Sequence, residues 1–163
     1  MNQVNLQSKI IFGIGSNLGD KAQNIDLAVS KLAKNLELFN LKKSTIYVNK
    51  AMLPKNAPDN WDIDFFNIAL SASINLQNFQ PPKILQIIKK IENEIGRTNT
   101  EFWAPREIDI DILAIDKINF KNDKLTIPHI GIFERDFFVK TICEIEENYF
   151  LELKKHFKTL NWI

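Results

Sequence analysis

Asp109 and Asp111 alternate with Ile108, Ile110 and Ile112 in the run Trp-Ala-Pro-Arg-Glu-Ile-Asp-Ile-Asp-Ile-Leu at 103–113. Alternation is the period of a β-strand, so both carboxylates leave one face while the isoleucines enter a core. Two strand rises put their Cα atoms about 7 Å apart. Carboxylates that close repel each other unless a cation sits between them. Hard divalent ions such as Mg²⁺ favour such oxygen ligands. Arg106, in the Pro-containing loop just before, can reach an anion held by that metal. A cation site beside an arginine outlines a phosphate-transfer centre. Taken alone, the same pattern also describes a strand with a solvated outer face.

Other residues invite chemistry more weakly. Phe65 and Asn67 share a strand face, and an aromatic ring beside an amide can stack on a flat heterocycle and bond its edge. Arg97 and Arg106 bracket a polar loop that holds Trp103, and forked guanidinium donors suit phosphate. His129 follows Pro128 and can donate to a phosphate oxygen, though a lone histidine is more often a structural polar residue. Glu92 by position is a surface acid near a helix end. Gly13, Gly15 and Gly19 do not make a dinucleotide fingerprint, because the third glycine falls one place late, and no Gly-Lys-Ser/Thr follows. A tight strand-to-helix turn is the simpler reading.

The elements that must position these residues are legible from periodicity. A strand is expected over 9–15 and a turn over 16–20. Asp20 with Gln23 resembles a capping box opening a helix over 21–35. A strand follows over 38–48, then a long loop over 50–61. Residues 65–76 alternate as a half-buried strand. Pro81 and Pro82 open a second helix with an isoleucine stripe, and Gly96 stops it. A polar loop over 97–107, a strand over 108–115, a short strand at 118–120 and an extended run at 125–129 come next. Helices over 134–147 and about 150–158 close the chain. The β-α-β-β-α-β order predicts an α+β fold, a ferredoxin-like antiparallel sheet with helices packed on one face. The C-terminal elements extend it toward an α/β/α sandwich.

The 163 residues fit a single domain, 1–163, and 45% hydrophobic residues can bury a core. A net charge of +1 offers no footprint for nucleic acid. The single Cys143 excludes an internal disulfide. Neither a signal-peptide pattern nor a membrane-spanning apolar run is seen, so a cytoplasmic location and no membrane partner are expected.

Taken together, these motifs resemble the 6-hydroxymethyl-7,8-dihydropterin pyrophosphokinases of folate biosynthesis. The resemblance rests on Gly15-Ser16-Asn17-Leu18-Gly19, Phe65-Phe66-Asn67, Glu92 with Gly96-Arg97, and Trp103-Ala104-Pro105-Arg106 with Asp109-x-Asp111. Leu125-Thr126-x-Pro128-His129 and Arg135-x-Phe137 complete it, in the family's order. It implies transfer of pyrophosphate from ATP to the hydroxymethyl oxygen of the pterin, with release of AMP. Asp109 and Asp111 would hold two Mg²⁺ ions, and Arg97 and Arg106 would stabilise moving charge. Glu92, Trp103, Lys124, Thr126, His129 and Arg135 would form the ATP site. Asn49, Met52, Phe65, Asn67 and Phe137 would hold the pterin. A monomer is expected, with fusion to or partnership with another folate-pathway enzyme left open. Val48-Asn49-Lys50-Ala51 departs from the family's Arg-Thr-Pro run, Phe65 replaces a common Tyr, Thr98 or Asn99 stands where an arginine is frequent, and Ile130 replaces an aromatic. Two other readings stay open: a ferredoxin-like RNA-binding module, and a pterin-binding relative without turnover.

Overall fold

A computed structural model describes residues 7–98, 101 and 103–159. The chain order is β1 (Gln7–Ser16), α1 (Lys21–Asn35), β2 (Phe39–Lys43), β3 (Tyr47–Asn49), β4 (Phe65–Asn75), α2 (Pro81–Ile95) and β5 (Asp109–Ile115). The two-residue strands β6 (Phe120–Lys121) and β7 (Thr126–Ile127) and helix α3 (Asp136–Thr159) follow. The main sheet is antiparallel in the order β2-β4-β1-β5, and β3 extends it along β4. This is the expected ferredoxin-like arrangement, with β1 and β4 as its central pair.

Sequence periodicity decides the layers. Ile10, Phe12 and Ile14 of β1 share a core with Ile68, Leu70, Ile110 and Ile112, covered by Ile25 and Leu32 of α1 and by Ile84, Ile88 and Ile91 of α2. The opposite face packs Ile11, Ala69 and Leu113 against Phe138, Ile142, Phe150, Leu153 and Phe157 of α3. The C-terminal helix is therefore the third layer of the sandwich.

Two expectations need correction. The strand read over 38–48 is two strands, because Ser44 interrupts it: its N–H donates to the Ala69 carbonyl and its hydroxyl accepts from the Ala69 N–H. Strand β4 is not half-buried; Asn67, Ala69 and Ser71 are buried, as the isoleucines of the other face are. The small residues on that face let α3 lie close, and the Ser71 hydroxyl donates to Glu146 at 3.0 Å. The two helices expected at the C-terminus are both present, joined within α3 at a kink where Glu146 leaves helical geometry. The carboxylate at the kink also accepts from Lys9 at 2.6 Å and pairs with Lys42 at 3.0 Å.

Helix ends follow local chemistry. The Asp20 side chain accepts the Gln23 N–H at 3.1 Å, capping α1. Gly96, at φ 115°, ends α2 in the left-handed region that favours glycine. That ending turns the chain so that the Arg97 N–H donates back to the Glu92 carbonyl. In β5 a bulge leaves Leu113 unpaired with β1, since Ile112 pairs with Phe12 and Ala114 with Ile11, and its carbonyl accepts the His129 N–H at 2.8 Å.

Candidate active site

Strand β5 delivers the two aspartates. Asp109 pairs with Gly15 and Asp111 with Gly13 across β1, so both carboxylates leave the face away from the α1 and α2 core. The glycines keep that face open. A Cβ on Gly15 would stand 2.5 Å from Asn67 Oδ1, and one on Gly13 would stand 2.6 Å from a Phe138 ring carbon. Both lie inside β1, not in a turn; their role is to let side chains approach the strand. Gly19, at φ 69°, is the turn glycine of the motif.

A cavity of about 400 Å³ opens on these residues. Phe65 and Asn67 enter it from β4, Asn49 and Met52 from β3 and the loop after it, and Phe137 and Phe138 from α3. Arg106, Asp109, Asp111, His129, Arg135 and Trp103 line its other side. A second cleft, about 590 Å³, adjoins it and is lined by Leu85, Lys89, Ile110, Lys124 and Thr126. Asp111 and His129 line both. An aromatic-and-amide chamber and a cleft edged by Lys89 and Lys124 thus meet at an acid and a histidine.

The electrostatics are concentrated at that meeting point. Burial, then the neighbouring Asp109 carboxylate, push the Asp111 carboxyl up to about 7. Arg97 Nη1 donates to Asp109 Oδ1 at 2.6 Å and to Glu92 Oε1 at 2.7 Å, while Arg106 Nη1 reaches Asp109 Oδ2 at 3.3 Å. Burial works against the Arg97 charge, but Asp109 and Glu92 outweigh it and hold the guanidinium above its ordinary value. Burial and then Arg135 push His129 down to about 4, so it is neutral near pH 7. Its Nδ1 accepts the Gly131 N–H at 3.0 Å, which puts the ring proton on Nε2.

Two carboxylates on one face, one of them reluctant to ionise, fit a hard divalent cation that also takes substrate phosphate oxygens and water. Among the described residues no group of three acidic, histidine or cysteine side chains could hold a metal by protein ligands alone. That donor set suits Mg²⁺ shared with a nucleotide better than a permanent structural metal.

The structure brings together Asn49, Met52, Phe65, Asn67, Trp103, Arg106, Asp109, Asp111, His129, Arg135 and Phe137 in the first cavity, with Lys124 and Thr126 in the second. Trp103 and Arg135, expected on the nucleotide side, stand with the aromatic chamber. Glu92 is no surface acid: only 2% exposed, it stands behind β5, accepting from Arg97, from Lys89 and from the Ile110 N–H. Thr98 is exposed, and Asn99, also weighed at the missing-arginine position, lies outside the described residues. Asn17, matched only as part of a motif, proves to be a clamp. Its Oδ1 accepts the Arg106 N–H at 2.8 Å, and its own N–H donates to the Arg106 carbonyl at 3.1 Å. No local signal foretold the clamp or the buried Glu92, because both contacts close over long stretches of chain.

A model of the family described as 7,8-dihydro-6-hydroxymethylpterin-pyrophosphokinase (HPPK) matches residues 11–147. The chain belongs to this family. An HPPK relative from Aquifex aeolicus, a 2-amino-4-hydroxy-6-hydroxymethyldihydropteridine pyrophosphokinase, is 40% identical over 139 residues, covering 85% of this chain and 81% of that protein. One of the same name from Bacillus subtilis is 33% identical, covering 81% and 74%. The folate synthesis bifunctional protein of Chlamydia trachomatis is 36% identical over 138 residues, and there the match spans 83% of this chain but 30% of the relative. Wild-type Plasmodium falciparum HPPK-DHPS, solved with pteroate, superposes with a TM-score of 0.59 at 14% identity, covering all of this chain and 45% of that one. At that identity the likeness speaks for the HPPK fold. No helix among the described residues is long and apolar enough to cross a membrane.

Proposed function

We propose that this chain, acting as one HPPK domain over 1–163, transfers pyrophosphate from ATP to the hydroxymethyl oxygen of 6-hydroxymethyl-7,8-dihydropterin. The observation that carries this reading is the sharing of Asp111 and His129 by two adjoining clefts, one lined by Phe65, Asn67 and Phe137 and the other by Lys89, Lys124 and Thr126. A flat heterocycle between Phe65 and Phe137, read by Asn67, would present its hydroxymethyl group toward Asp109 and Asp111. ATP in the second cleft, beside Lys124 and Thr126, would bring its phosphates to the same point.

The hydroxymethyl oxygen attacks the β-phosphorus of ATP and gives up its proton to water, the bond from that phosphorus to the α,β-bridging oxygen breaks, and AMP leaves with that oxygen. Such transfer depends on positioning and charge neutralisation more than on covalent help. Asp109 and Asp111 would hold two Mg²⁺ ions, which align the phosphates and offset their charge. Arg106, fixed by Asn17, and Arg97, fixed by Glu92, lie where they can offset moving negative charge once phosphate oxygens compete with Asp109 for their N–H groups. Neutral His129 donates from Nε2 without adding charge. The remaining assignments follow the clefts: Asn49 and Met52 border the pterin, and Trp103 and Arg135 line the same chamber. We place the enzyme in the cytoplasm with its co-substrate ATP, as a monomer unless joined to another folate enzyme, as in the bifunctional relatives.

Incubation with ATP, Mg²⁺ and 6-hydroxymethyl-7,8-dihydropterin should yield AMP and the pterin diphosphate. The Asp109→Ala, Asp111→Ala double variant should yield neither. AMP release undiminished in that variant would sink the metal assignment; no AMP from the unsubstituted protein would sink the activity.

A further inference from the structure

Asn67 is 7% exposed, and its amide has a fixed sense. Its Nδ2 donates to Asn49 Oδ1 at 2.6 Å, and Asn49 Nδ2 donates in turn to the Lys50 carbonyl at 2.9 Å. A backbone carbonyl only accepts, so the Asn49 nitrogen must face Lys50 and its oxygen must face Asn67. The Asn67 nitrogen is then committed to Asn49, and its oxygen lies on the opposite side, against Gly15. Topology supports this relay. Tyr47 pairs with Asn67 and Asn49 with Phe65, which makes Asn49 and Asn67 diagonal neighbours on one face of the sheet. Gly15 pairs with Asn67 from the other side, and a Cβ there would collide with the oxygen. All three residues line the aromatic cavity.

We propose that Asn49 is a positioning residue that locks the Asn67 amide with its carbonyl oxygen toward the cavity, so that the cavity selects a heterocycle edge carrying N–H donors. The inference rests on the pterin half of the proposed function. A 2-amino-4-oxo ring offers such donors in its amino group and adjacent ring N–H. A 2,4-dioxo ring puts an acceptor in place of the amino group and meets the locked oxygen badly. A buried amide facing the wrong partner leaves both groups unpaired, which is how polar sites discriminate.

The test compares binding of 6-hydroxymethylpterin and 6-hydroxymethyllumazine, with Mg²⁺ and a non-hydrolysable ATP analogue, by titration calorimetry. The unsubstituted protein should favour the pterin by about tenfold or more. Asn49→Leu, similar in size but without the accepting oxygen, frees the Asn67 amide to turn and should bring the two ligands within about threefold. Asn49→Asp keeps an acceptor for Asn67 and should retain the preference. A merely structural role for Asn49 would weaken both ligands equally, so an unchanged ratio in Asn49→Leu overturns the proposal. So does loss of the preference in a folded Asn49→Asp. Failure of the unsubstituted protein to bind the pterin at all would instead overturn the pterin reading itself, and this inference with it.

Discussion

Glu92 Oε1 accepts the backbone N–H of Ile110 at 2.9 Å, so an acid on α2 fixes the strand residue that stands between Asp109 and Asp111. The same oxygen takes the Arg97 guanidinium at 2.7 Å. One buried carboxylate thereby holds the strand carrying the acids and the arginine facing them.

Replacing Glu92 should cost more than its place near a helix end suggests. Glu92→Ala leaves the Ile110 N–H without its partner and Arg97 with Asp109 alone, a loss of about 3 kcal/mol in urea unfolding. Glu92→Gln keeps an acceptor for Ile110 and should lose less. A Glu92→Ala protein as stable as the parent would mean the network contributes nothing.

Asp111 should be a stability liability in metal-free protein. Its folded value near 7 lies above its ordinary 3.8, so the folded state holds the proton more tightly and stability falls as pH rises through that window. At pH 8 Asp111→Asn should therefore be the more stable protein, by on the order of 1 kcal/mol. Added Mg²⁺ with ATP should raise the melting temperature of the parent and leave the variant behind. Thermal denaturation with and without Mg²⁺ checks both.

His129 should act in the opposite sense. Its folded value of about 4 lies below the ordinary 6.5, so the unfolded chain takes the proton first. The stability it contributes is complete above about pH 6.5 and is lost as pH falls toward 4. The difference in unfolding free energy between parent and His129→Gln should shrink over that range, by on the order of 1 kcal/mol given partial exposure. A flat difference from pH 7 to pH 4 would contradict a neutral, buried imidazole.

Gly13 should resist even the smallest side chain. A Cβ there meets Phe138 at 2.6 Å and two Leu113 methyls at 3.2 and 3.3 Å. Gly13→Ala should destabilise by about 1–3 kcal/mol through overpacking. Phe138→Leu in the same chain should recover part of that loss, measured as a double-mutant cycle.

Much of this protein follows from residue order alone. The strand period of Ile108 to Ile112 places Asp109 and Asp111 on one face, the isoleucine stripe and Gly96 bound α2, and the β-α-β-β-α-β order leads to the sheet that forms. Those features are local, since side-chain period and turn chemistry act over a few residues. Tertiary packing alone decided the rest. Asp111 is pushed up because the surrounding protein removes it from water and the Asp109 carboxylate repels its charge, and Glu92 becomes a hub because β5 docks beside α2. Asn17 grips Arg106 across 89 positions of chain. Strand β4 is covered on both faces because α3 folds back over a row of small side chains, and nothing in the alternation of β4 says whether its second face meets solvent or a helix. The residues that could carry the chemistry are written in the motifs; their charge states and the groups that aim them come from contacts that exist only once the layers close.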